Sequence, residues 1–175
     1  MSLRAVVVCA LLASSGCGYA LVGKGVTTDA SIKRIGVPLF KDTTGKALDQ
    51  KVTQKVTEEL LRRGRFEVVS SATGVDAVVE GELLNYSVVP VGFTGADDAG
   101  NRTQAGRYAI TLTARVRYAK VGATEPIWSS ESFSFRDEYD VGSSPTAYLD
   151  LEEQSIERMS TQFARNLVAA MLEAF

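Results

Sequence analysis

The chain has 175 residues, of which 45% are hydrophobic and 23% charged, and its formal net charge is −2. That balance suits one globular domain with a core of its own and argues against a nucleic-acid binder, which would carry a basic surplus. There is no histidine, and the two cysteines, Cys9 and Cys17, both lie near the N-terminus, so the rest of the chain offers no thiol nucleophile, no disulfide framework and no Cys/His metal site.

Arg4 precedes an apolar run, Ala5 to Ala13, that is too short to span a bilayer, and the small residues Ser14, Ser15 and Gly16 follow it. Residues 1–16 therefore read as a secretory signal, with Cys9 as an apolar filler. The stretch Ser14-Ser15-Gly16-Cys17 resembles a bacterial lipobox, in which small residues precede a cysteine that becomes a lipidated N-terminus; Ser14 stands where Leu is usual. The resemblance implies diacylglycerol and an N-acyl chain on Cys17, and no other cofactor is expected. One acyl chain anchors only marginally, whereas two or three hold firmly, at about 0.8 kcal/mol per buried CH₂. Gly18, and not Asp, follows the cysteine, which by the sorting rules of such lipoproteins implies the periplasmic side of the outer membrane. Residues 17–31, rich in Gly and Thr, read as a lipidated N-terminus and tether, and residues 32–175 as a single domain.

Within that domain Ile32 to Phe40 is expected as a strand, because Ile35, Val37 and Leu39 alternate with Arg34, Gly36 and Pro38. Pro38 cannot donate to a ladder and implies an edge or a strand end. Lys41 to Gly45 reads as a loop. Lys46 to Arg63 carries a helical stripe of Leu48, Val52, Val56 and Leu60, with Leu61 beside it. Arg62 and Arg63 suit the negative end of that helix, and Gly64 its C′ position. Phe66 to Ser70 is a short strand, and the β-helix-β order allows a parallel pair.

Asp76 to Val89 reads as a longer strand whose alternation falters at Gly81, which suggests a bulge there. Pro90 to Gly106 reads as a polar loop holding Asp97, Asp98, Asn101 and Arg102. The clearest alternation follows: Tyr108, Ile110, Leu112, Ala114, Val116 and Tyr118 on one side, Ala109, Thr111, Thr113, Arg115 and Arg117 on the other. Lys120 to Pro126 connects to a last strand, Ile127 to Tyr139, with Phe133 and Phe135 on one face and Trp128 and three serines on the other. Thr146 to Phe175 is the final helix, with Ile156, Met159, Phe163, Leu167, Met171 and Leu172 on its apolar face.

The order is thus β-α-β-β-β-β-α, an α+β two-layer sandwich with two helices on one face of a mixed four- to five-stranded sheet. The second face, with Thr111, Thr113, Arg115 and Arg117, is polar and is expected to be wet or to face a partner.

Several stretches together resemble the lipopolysaccharide-assembly lipoprotein family, LptE: Cys17-Gly18-Tyr19-Ala20-Leu21, Ile35-Gly36-Val37-Pro38-Leu39-Phe40, Leu61-Arg62-Arg63-Gly64, and Gln104 to Tyr118. The resemblance implies an outer-membrane lipoprotein that helps to assemble and then plugs a β-barrel partner of the LptD type, the pair inserting lipopolysaccharide into the outer leaflet. It also implies contact with lipopolysaccharide through a basic residue ahead of the long central strand, for which Arg102 is the candidate, with Arg107 close by. A second basic position of the family falls near Leu149-Asp150, which is not basic here. Arginine suits such a role because it makes charge-assisted contacts to phosphate.

Two other readings compete. Val37-Pro38-Leu39-Phe40-Lys41-Asp42-Thr43-Thr44-Gly45 also resembles outer-membrane lipoproteins that activate peptidoglycan synthases or form secretion channels. An enzyme is disfavoured: Asp97 with Asp98, or Asp137, Glu138 and Asp140, could mimic a carboxylate site, but nothing supplies a positioned base or oxyanion donors. No catalytic or metal-binding residue is assigned.

Overall fold

A computed structural model of the chain describes residues 29, 31–94, 104–141 and 147–173; Cys17, Asp97, Asp98 and Arg102 lie outside them. In chain order the elements are β1 (Arg34–Gly36), β2 (Lys41–Asp42), α1 (Asp49–Arg62), β3 (Glu67–Val69), β4 (Ala77–Thr94), β5 (Gln104–Lys120), β6 (Trp128–Asp140) and α2 (Ala147–Glu173). The strands form one mixed sheet in the order β3-β1-β4-β5-β6, with β2 pairing β4 off this path. β1 pairs parallel with β3 and with β4, whereas β4-β5-β6 is an antiparallel meander. Both helices bury their apolar sides together with one face of this sheet, which is the expected two-layer arrangement.

The alternation of β5 decides the layering. Ile110, Leu112, Ala114, Val116 and Tyr118 are all buried and join Met159, Phe163, Leu167 and Met171 of α2 and Val52, Val56 and Leu60 of α1 in one core. Phe163 meets Phe133 of β6 edge-to-face, with ring centroids 5.3 Å apart. Neither helix is long and apolar enough to cross a membrane.

Several local expectations need correction. The first strand is only Arg34–Gly36, and the chain rejoins the sheet at Lys41–Asp42, where a loop was expected. Pro38 interrupts the ladder, and pairing resumes beside Glu82 and Leu83, where Thr43 donates both its backbone N and its Oγ1 to the Leu83 carbonyl at 3.0 and 2.7 Å. Gly81 is not a bulge. A Cβ there would lie 2.3 Å from the Phe40 ring, so the missing side chain makes room for that ring. The bulge lies between Leu83 and Asn85. It shifts the phase of β4, which buries Ala77, Val79 and Leu83 but then turns Tyr86 and Val88 toward the core.

The expected loop from Pro90 is also shorter. Pro90 to Thr94 stay in β4, paired with β5 as far as Gln104. Beyond Leu83 no other described strand pairs the outer edge of β4, so the missing N–H of Pro90 is tolerated there. Trp128 lies on the same face as Phe133, 6.0 Å from it, and not on the serine face. A register shift between Ala114 and Val116 inserts an extra residue into β6 and reverses its phase. Finally, Leu61 is exposed, and the neighbouring Glu59 is buried instead, ion-paired to Arg62 and Arg63. Leu61 lies one residue, roughly 100° of helix, past the buried Leu60.

Candidate functional site

The face of the sheet turned away from the helices is the candidate. Antiparallel register sets its chemistry: Glu80 lies opposite Arg117, Glu82 opposite Arg115, Asn85 opposite Thr113 and Ser87 opposite Thr111 on β4 and β5. On the other side Thr113 faces Ser134, Thr111 faces Arg136 and Arg107 faces Asp140 of β6. Thr111, Thr113, Arg115 and Arg117 therefore do share one open face; the threonines are half-buried by their neighbours and the arginines are exposed.

The charges on this face are joined to one another. The Arg115 guanidinium bridges Glu131 through Nε and Glu82 through Nη1, both at 2.7 Å. Glu82 also takes Lys41 Nζ at 2.9 Å. Arg117 lies 3.9 Å from Glu80, and Arg136 2.9 Å from Glu138. Thr113 Oγ1 and Ser134 Oγ are 2.8 Å apart. The Glu131 hydrogen bond raises the Arg115 pKa further, and the hydrogen bond from Lys41 lowers that of Glu82. Both groups stay charged across the neutral range.

Arg107 is held at the far end of β5, with Nε 2.6 Å and Nη2 3.3 Å from the two Asp140 oxygens. This forked pair lowers the Asp140 pKa and raises that of Arg107. The structure does not bring Asp137 into an acidic cluster with Glu138 and Asp140. Strand alternation turns Asp137 to the helix side, where Arg158 Nη2 meets it at 3.0 Å. Among the described residues no group of three or more Asp, Glu, His or Cys could hold a metal ion. Leu149 and Asp150 fall in the first turn of α2.

Glu82, Glu131 and Lys41 escaped the sequence reading. A signal for Glu82 was present: Glu80 and Glu82 repeat at the same spacing as Arg115 and Arg117, as antiparallel charge pairing requires. The bulge that brings Glu131 to Arg115 left no comparable mark.

The architecture defines a two-helix α+β domain with one helix-covered and one open, polar sheet face. Solved structures share this fold. Rare lipoprotein B from Shewanella oneidensis is 18% identical over 81% of this chain and 95% of its own, with a TM-score of 0.52. Lipoprotein B from Nitrosomonas europaea is 11% identical over 82% and 86%, with a TM-score of 0.53. At these identities the likeness establishes the fold alone. A comparison with curated proteins finds no match in sequence. The model of the LptE family, described as lipopolysaccharide-assembly, matches residues 32–171, and the chain belongs to that family.

Proposed function

We propose that this LptE-family chain is an outer-membrane lipoprotein, acylated at Cys17 and held on the periplasmic side, that assists assembly of an LptD-type β-barrel and plugs it for insertion of lipopolysaccharide. It acts by binding and not by catalysis. The observation that carries this reading is the open face of β4-β5-β6, whose arginines and carboxylates neutralise one another between hydroxyl and amide side chains. Such a face suits the polar lumen of a barrel: it offers hydrogen bonds without bringing an uncompensated charge into a confined space. Thr111, Thr113, Arg115 and Arg117 are its proposed partner-facing residues.

Arg102 and Arg107 are the proposed contacts to lipopolysaccharide phosphates. Arg107 would have to exchange Asp140 for phosphate, a swap of one forked acceptor for another. Depletion of the protein followed by measurement of lipopolysaccharide at the cell surface tests the assembly role, and a fall in surface lipopolysaccharide is expected. Normal display would refute the role. Retention of lipopolysaccharide by purified protein, compared with Arg107→Ala, tests the ligand contact.

A further inference from the structure

One end of the molecule is fixed to the point where residues 17–28 join the domain. Asp29 Oδ2 accepts from Lys120 Nζ at 2.9 Å, and Ser31 Oγ takes the same ammonium at 2.9 Å. The entry to the domain is thereby fastened to the turn between β5 and β6. That turn, residues 121–127, reads Val-Gly-Ala-Thr-Glu-Pro-Ile and contains one charge, Glu125. Its two large apolar side chains point outward: Val121 is 55% exposed and Ile127 44%. Cys17 and Asp29 are 12 residues apart in sequence, which limits their separation to at most about 40 Å.

We propose that the β5–β6 turn is a membrane contact: Val121 and Ile127 dip into the headgroup–acyl boundary of the leaflet that holds the Cys17 anchor. The inference rests on the reading that Cys17 is acylated. Two apolar side chains are a weak anchor alone, but the tether turns their insertion into an intramolecular event at high effective concentration. The contact also sets orientation. With this turn on the membrane surface, the opposite hairpin end at Thr94 and Gln104 points away from the leaflet, because β4 and β5 run the length between them. Lys120 is engaged by Asp29 and Glu125 is the one charge of the turn, so the attraction to the leaflet is carried by the apolar Val121 and Ile127.

Trp128 directly follows Ile127 and is the single tryptophan of the chain, which makes it a built-in depth probe. The protein purified from outer membranes is placed in phosphatidylethanolamine/phosphatidylglycerol vesicles with brominated acyl chains. Trp128 fluorescence is measured, and the mass of the Cys17 peptide is determined on the same material. The expected result is an acylated Cys17 and a quenched Trp128, with the quenching retained in high salt. Val121→Asp is expected to remove more than half of the quenching, since each such side chain shifts partitioning by roughly tenfold. Val89→Asp, at the far end of β4, should leave it unchanged. An acylated chain with unquenched Trp128, or equal losses in the two variants, overturns the membrane contact and leaves the anchor standing. An unacylated Cys17 overturns the anchor reading, and the contact with it.

Discussion

The two faces of β5 are built from alternate residues of one strand, yet they obey different physics. The covered face, from Ile110 to Tyr118, is fully buried against both helices and interlocks with Phe133 and Phe163. The open face carries Thr111, Thr113, Arg115 and Arg117, whose ion pairs have partners up to 81% exposed. Burial of aliphatic and aromatic side chains contributes about 1.5–3 kcal/mol each, whereas exposed ion pairs contribute about 0–1 kcal/mol. Folding therefore depends on the first face and is nearly indifferent to the second. Stability does not explain the ordered charge pattern of the open face, whereas the proposed contact with a partner would.

Substitutions across the sheet put this contrast to the test. Phe163→Ala should cost most, about 3–5 kcal/mol, because it empties a fully buried ring position that the surroundings refill only in part; a loss of stability in urea of less than half that amount would mean that the covered face is loosely packed. Gly81→Ala should cost about 1–3 kcal/mol through its clash with the Phe40 ring. Adding Phe40→Leu should recover part of the loss, and failure to do so would point to backbone strain instead.

On the open face Arg115→Ala should cost less than about 1 kcal/mol in the same titration, while reducing surface lipopolysaccharide if this face meets the barrel. A large loss of stability there would erase the distinction between the faces. The smallest effect concerns Asp76, whose pKa is lowered by hydrogen bonds from the backbone N–H groups of Arg34 and Lys33. Since the folded value lies below the unfolded one, near 3.8, its contribution is present above that pH and is lost as pH falls further through the folded value. Asp76→Asn should therefore flatten the acid limb of a stability–pH curve without altering the shape of the neutral limb.

Much of this was legible in the chain itself. Apolar residues at helical spacing placed α1 and α2, and strict alternation placed β5 and identified its two faces before any neighbour was known. Gly64 marked the end of α1, and it does take the left-handed conformation there, with φ +66°. The Ser14 to Cys17 pattern supplied the proposed anchor, which lies outside the described residues.

What the sequence by itself determined was thus periodicity: which segments coil, which extend, and which side of each is apolar. What only the tertiary structure decided was phase and pairing. Local spacing cannot announce an extra residue in a ladder, so the bulges at Leu83/Asn85 and Ala114/Val116 moved Tyr86 and Trp128 to the core side unforeseen. Nor could spacing show that Gly81 is small because the Phe40 ring, some 40 residues earlier in the chain, lies over it. The linkage of Lys120 to Asp29, across 91 residues, is of the same kind. Such contacts form only once the chain has folded back on itself, and on them rest the proposed membrane-facing end and the proposed partner-facing sheet of this domain.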